Sequence, residues 1–212
     1  MSDDRKVVFV MVGHTAAGKT TFARSFCEKN SVDYISEGEI KRSFVNNYTS
    51  KNSLDEDLRD KGYAEAIKRA IELLEIKESI LIDASFHKKK RRINLTTEIG
   101  KHYPNAIFVW VYCACPNFDK VVKRIEQRAA SPKTADNQAD DIAIYSHILN
   151  SFDDIALDQF FYDTVIIAID TNENYVINIE SNFNFVITKN KLLMSIFSFS
   201  NSYLKSKRSE NG

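Results

Sequence analysis

VVFVMVGHTAAGKTT, residues 7–21, joins two signals that have meaning only together. Val7 to Val12 is an unbroken apolar run rich in β-branched side chains and ends at a glycine, as a central parallel strand covered on both faces does. Gly13 to Thr20 then fits G-x-x-x-x-G-K-[ST]. Phe22, Ala23 and Phe26 follow at helical spacing and predict a helix from Lys19 to Lys29. Average residue frequencies would bring the four fixed positions together by chance in a chain this long with a probability on the order of one per cent.

A glycine loop between a buried strand and a helix start is an anion site. Gly13 and Gly18 permit the bends, and the N–H groups of His14, Thr15, Ala16 and Ala17 turn inward while the helix dipole adds its positive end. Phosphates are the expected guests. Lys19 reaches the β- and γ-phosphates of ATP, Thr20 offers its hydroxyl to Mg²⁺, and Thr21, which also reads as a packing or capping residue, closes the expected contact stretch.

Outward from this segment, strands and helices alternate. Val32–Ile35, Ser79–Asp83, Ala106–Tyr112 and Asp163–Ile169 read as strands. Helices are predicted over 36–48, 54–77, 88–103, from Pro116 and Asn117 to Ala130, and over 140–152. The alternation predicts an α/β fold, a five-stranded parallel sheet with helices on both faces. SPKTADNQA, residues 131–139, is small and polar and reads as a lid. The domain is expected to span residues 1–171. Residues 172–212, rich in Asn, Ser and Phe, show no clear period; a packed helix or a strand pair at 183–188 are the alternatives.

Composition narrows the function. With 29 basic and 29 acidic side chains, the chain has no excess charge to draw it to nucleic acid or a membrane surface. Its three cysteines, Cys27, Cys113 and Cys115, read as reduced core thiols, and with the four histidines they make no zinc-ligand spacing. No apolar run reaches the length of a membrane span or signal peptide, so a soluble cytoplasmic protein is expected. No N-K-x-D guanine signature follows a later strand, which disfavours a GTPase.

Three stretches, GHTAAGKTTFA at 13–23, LIDASFHKKKRR at 81–92 and VYCACPNFDKVVKRIEQR at 111–128, resemble the P-loop kinases of the small-molecule and polynucleotide class, the "predicted kinase" or AAA-like ATP-binding group related to zeta toxins and 5'-hydroxyl polynucleotide kinase. The resemblance covers about Lys6 to Thr171 and implies a P-loop NTPase three-layer sandwich with a lid, using ATP and Mg²⁺. It implies that Asp83, ending its strand, holds Mg²⁺ or orients the acceptor. ISEGEIKR, residues 35–42, is similar to the acceptor stretch of nucleotide-type kinases, with Glu39 the first choice and Glu37 the second for the acceptor-orienting carboxylate, and Arg42 as an acceptor-binding cation. Arg92 corresponds to a recurring phosphate-gripping arginine, and Arg128 to the lid arginine, one turn after Arg124, which is expected to face the same ligand.

The expected reaction is transfer of the γ-phosphoryl group of ATP to a hydroxyl or phosphate acceptor: a small metabolite, a nucleotide or a polynucleotide 5'-hydroxyl. The basic run His87 to Arg92 tilts towards a phosphorylated or nucleic-acid acceptor. The rival reading is an inactive ATP-binding module that acts as a nucleotide-gated interaction protein.

Overall fold

β1 (Val7–Val12) lies in the middle of a six-stranded sheet, between β3 (Ser79–Asp83) and β4 (Ile107–Ala114). β2 (Asp33–Ser36) flanks β3, while β5 (Thr164–Asp170) and then β6 (Tyr175–Ser181) continue beyond β4. This computed structural model describes residues 5–46, 49, 52, 54–130, 142–156, 159–171 and 175–182. The lid expected at 131–139 and the helix or strand pair expected beyond residue 182 lie outside them.

The first five strands are parallel, with Val10 opposite Ile82 on one side and Trp110 on the other. Every residue of β1 is at most 2% exposed, because its alternate side chains enter two cores. Val7, Phe9 and Met11 pack on one face with Phe22 and Phe26 of α1 (Lys19–Asn30). Val8, Val10 and Val12 belong to the opposite core, with Ile67 and Leu74 of α3 (Glu56–Ile76) and Leu95 and Ile99 of α4 (Lys89–His102). Burial of each such side chain contributes about 1.5–3 kcal/mol. Trp110, fully buried, stacks on Phe160 at 5.0 Å and meets Phe86 edge-on at 5.6 Å, a core position.

The remaining helices are α2 (Glu37–Ser43), α5 (Phe118–Ala130) and α6 (Ile142–Asn150). The helix expected to run from Ser36 to Tyr48 is thus shorter, with Ser36 as its cap: the Ser36 hydroxyl accepts from Glu39 N at 3.2 Å.

The strand count corrects the sequence expectation. β6 pairs antiparallel with β5, Ile167 opposite Ile179, so the sheet takes in residues beyond the boundary placed at 171. Its sequence, YVINIES, is an edge strand with Ile177, Asn178, Ile179 and Glu180 exposed, so burial imposes no strict alternation on it. Among the described residues no helix is long and apolar enough to cross a membrane.

The parallel strands all deliver their carboxyl ends to one edge, and there the chain runs from β1 into the loop before α1, from β2 into α2, and from β3 into residues 84–88. This edge, where the order β2-β3-β1-β4 reverses direction about β1, is where open α/β sheets bind ligands.

Candidate active site

Three positive φ angles shape the loop after β1: Gly13 at 143°, Ala16 at 60° and Gly18 at 84°. Gly13 sits against β4, where a Cβ would lie 2.4 Å from the Cys113 carbonyl oxygen, and its N–H donates to Ser85 O at 3.1 Å. Ala16 holds a left-handed conformation that costs a residue with a Cβ about 1–2 kcal/mol, strain of the kind that gathers at binding loops. Gly18 is the left-handed N-cap of α1.

Behind the loop, Lys19 Nζ donates to His14 O at 2.8 Å. The His14 ring meets Tyr145 of α6 edge-on at 5.0 Å, and burial, together with Lys19 and Arg124, lowers its pKa and keeps it neutral. Arg124 of α5 donates to Ala16 O at 3.1 Å and to Thr171 O at 2.9 Å, tying the loop to the end of β5. Sequence reasoning offered Arg124 as a nucleotide contact; here it bonds to the loop and to Thr171 and does not line the cavity described below.

On the floor, the Thr20 hydroxyl donates to Asp83 Oδ2 at 2.7 Å, and the Tyr34 hydroxyl donates to the same oxygen at 2.8 Å. Asp83 is 6% exposed. Burial first, and Asp83 next, push the Tyr34 phenol pKa up, so it remains a donor that fixes the carboxylate. Tyr34 was not read from the sequence; its position on β2, level with Leu81 of β3, aims it across the floor.

Above this floor opens a cavity of roughly 150 Å³, lined by residues 15–20 of the loop, by Glu37, Lys41 and Arg42 of α2, by Arg59, and by Arg128 of α5. Of the residues singled out from the sequence, Lys19, Thr20, Asp83, Arg128, Glu37 and Arg42 all line this one cavity. Thr21 is exposed and does not line the cavity.

Two expectations part from the structure. Glu39 points away from the cavity and pairs with Arg24 at 2.9 Å in solvent, whereas Glu37 is 5% exposed and lines it. α2 turns about 100° per residue, so neighbours two apart face opposite sides. Glu37 Oε1 lies 3.4 Å from Lys41 Nζ and against Gly62 of α3, where a Cβ would come within 2.8 Å of it.

Arg92, expected to grip an anion, is fully buried away from the cavity. Its guanidinium donates to the carbonyls of Phe86 at 2.9 Å, His87 at 3.3 Å, Asp153 at 2.9 Å and Asp154 at 2.6 Å, and to Gln159 Oε1 at 3.1 Å. It fastens the loop after β3 to the segment after α6. Arg91 likewise holds Asp60 at 2.6 Å and Glu56 at 2.7 Å. Much of the basic run at 87–92 is thus structural.

The cavity wall on α3 was not anticipated. Arg59, 3% exposed, reaches it, as does Ser85, and His87 behind them bonds to both. On the sequence Arg59 sits in an ordinary charged helix, and only the fold turns it inward.

Residues 8–145 match the AAA domain family. No curated protein matches the chain. Among solved structures, a candidate kinase of Chloroflexus aurantiacus is similar with 14% identity and a TM-score of 0.62, over 95% of this chain and 97% of that one. Kti12 of Chaetomium thermophilum, solved in complex with ADP-AlF3, is 14% identical over 90% and 97%, with a TM-score of 0.56. A fungal RNA kinase is 12% identical over 92% and 85%, with a TM-score of 0.55. At these identities the likeness is one of fold.

Proposed function

The chain belongs to the AAA domain family, and from that premise we propose that it is a kinase that transfers the γ-phosphoryl group of ATP to a hydroxyl or phosphate acceptor. The observation that carries this reading is the 2.7 Å contact between Thr20 and Asp83 beneath the phosphate loop, on the floor of a cavity whose far wall bears a buried carboxylate, Glu37.

Mg²⁺ fits this floor. A hydroxyl and a carboxylate oxygen are hard donors, and Mg²⁺ prefers one or two such groups with the rest of its octahedron made by phosphate oxygens and water. Among the described residues no three His, Cys, Asp or Glu side chains cluster as a self-sufficient metal cage, so Thr20 and Asp83 suit an ion that arrives with the nucleotide. Bound there, Mg²⁺ would supply charge neutralisation at the β- and γ-phosphates.

The chain's own residues do the rest. The loop N–H groups and Lys19 hold the phosphates, which displaces Lys19 from its bond to His14 O. Arg128 faces the same space and offsets charge as it spreads over the transferring group. Glu37, in place of Glu39, orients the acceptor and accepts its proton as the new O–P bond forms and the bond to the ADP oxygen breaks. Phosphoryl transfer depends on positioning more than on basicity, so a carboxylate suffices.

Thr20→Val and Asp83→Asn test the reading. Each should lower Mg²⁺-dependent label transfer from γ-labelled ATP at least 100-fold while metal-free nucleotide binding survives. Wild-type transfer rates in Asp83→Asn would overturn the assignment of the floor.

A further inference from the structure

The Tyr34 side chain is half-buried at the margin of the core that holds Phe22 and Phe26, a place where phenylalanine would pack as well. A tyrosine at such a margin keeps its ring on the apolar side and can turn its hydroxyl to water. Here the hydroxyl turns inward instead, to Oδ2 of Asp83 at 2.8 Å, although Asp83 is 6% exposed. The Thr20 hydroxyl reaches the same oxygen at 2.7 Å. An ionised carboxylate accepts and does not donate, so both hydroxyls are the donors.

The two donors come from different elements, Thr20 from the first turn of α1 and Tyr34 from β2. A carboxylate held by one bond still turns about its Cβ–Cγ axis, because that torsion of aspartate is broad. Bonds from two directions to one oxygen fix the plane of the group, and with it the place of the other oxygen. The phenol is itself covered: the Arg24 guanidinium lies over the ring, 5.7 Å from its centroid, and pairs with Glu39 at 2.9 Å. Tyr34 does not line the cavity, so it acts on a bound group through Asp83.

We propose that Tyr34 is the positioning residue that makes this floor specific for a small divalent cation, Mg²⁺ rather than Ca²⁺, by fixing the Asp83 carboxylate. The inference rests on the reading of Thr20 and Asp83 given above and deepens it. Mg²⁺ demands near-octahedral ligands at about 2.0–2.1 Å, whereas Ca²⁺ takes roughly six to eight oxygens at about 2.3–2.6 Å in adaptable arrangements. A carboxylate that cannot swing therefore favours the smaller ion. Removing a group that orients a metal's ligands typically costs about 10- to 100-fold in metal affinity.

The test uses the full chain loaded with the β,γ-imido analogue of ATP, stripped of metal and titrated by calorimetry with MgCl₂ and, separately, with CaCl₂. Tyr34→Phe, which keeps the ring and loses the hydroxyl, should raise the Mg²⁺ dissociation constant about tenfold and the Ca²⁺ constant by less than about threefold. Its metal-free affinity for the analogue should not change, because the phosphate loop is untouched. A tyrosine that served packing alone would lower the melting temperature or the metal-free affinity and leave the ratio of the two constants as it was. Should Tyr34→Phe fail to fold, Arg24→Met, which uncovers the ring and keeps the hydroxyl, should move the ratio in the same direction.

An unchanged Mg²⁺ constant in Tyr34→Phe, an equal loss with both cations, an unmoved ratio in Arg24→Met where that variant decides, or no Mg²⁺ bound by the loaded wild type would each overturn the inference. The kinase reading is judged separately by label transfer: a chain that shows the Tyr34 effect and labels no acceptor keeps this metal floor and loses the kinase.

Discussion

Replacing Gly13 by alanine should damage the protein far more than the same change at Gly18, although both glycines belong to one motif. At Gly13 the φ of 143° lies where a side chain costs about 1–3 kcal/mol, and the new Cβ would lie 2.4 Å from the Cys113 carbonyl oxygen, a backbone atom of a central strand that cannot swing aside. Overpacking of this kind adds about 1–3 kcal/mol, giving about 4 kcal/mol together. At Gly18 the φ of 84° costs about 1–2 kcal/mol, and the nearest atom, Thr171 Cγ2 at 3.6 Å, is in ordinary contact. For a chain of this size each kcal/mol shifts the melting temperature about 2–4 °C, so Gly13→Ala should melt about 8–16 °C lower and Gly18→Ala about 2–8 °C lower. Thermal melts followed by circular dichroism, with ATP titrations on the folded variants, read the difference. If Gly13→Ala melts with the wild type, the loop is not seated on β4 as described.

Glu37→Gln should lower the turnover number about 100-fold while Glu39→Gln stays within about twofold, since only Glu37 lines the cavity; steady-state transfer assays distinguish them, and the opposite order would restore Glu39. Arg92→Met should cost about 3–5 kcal/mol by stranding buried carbonyls, with acceptor KM unchanged in the folded protein; normal melting with a raised acceptor KM would return Arg92 to the acceptor. Burial, aided by Arg59, holds the His87 pKa near 2 against an ordinary 6.5, so its contribution to stability is intact above pH 6.5 and is lost as pH falls towards 2. Between pH 6.5 and 5 the unfolded chain takes up a proton that the folded one refuses, a loss of up to about 1.4 kcal/mol per pH unit. His87→Gln should flatten that slope in urea melts, leaving the part due to His14, whose pKa burial also lowers; parallel slopes would contradict the assignment.

Where one physical constraint dominates, the sequence is legible. β1 is buried on both faces, so its composition declares it, and the phosphate loop needs glycines and a lysine at set intervals. β3 follows for the same reason, which put Asp83 at the carboxyl end of its strand; the 2.7 Å contact with Thr20 came only with the fold. Face-level detail was not legible. Glu37 and Glu39 both read as helix-start carboxylates, and only the packing of Glu37 against Gly62 of α3 tells them apart. A run of charges such as 87–92 reads as a site for an anionic acceptor, yet Arg92 turns inward because carbonyls from a distant segment, Asp153 and Asp154, wait there. β6 escaped because, on an edge strand, exposed positions carry isoleucine and polar residues alike and show no clear alternation. Arg59 and Tyr34 had no local signal, since their roles come from the crossing of α3 and β2 over the same floor.

The central claim is that the cavity above Thr20 and Asp83 moves a phosphoryl group. Its most direct measurement is incubation with Mg-ATP labelled at the γ position and a panel of metabolites, nucleotides and 5'-hydroxyl oligonucleotides, beside Lys19→Ala. The account predicts that label appears on an acceptor, that ATP consumption rises with that acceptor, and that Lys19→Ala lowers both at least 1000-fold. ATP bound through Lys19, with no acceptor labelled across the panel, would contradict it and favour the nucleotide-gated binding module.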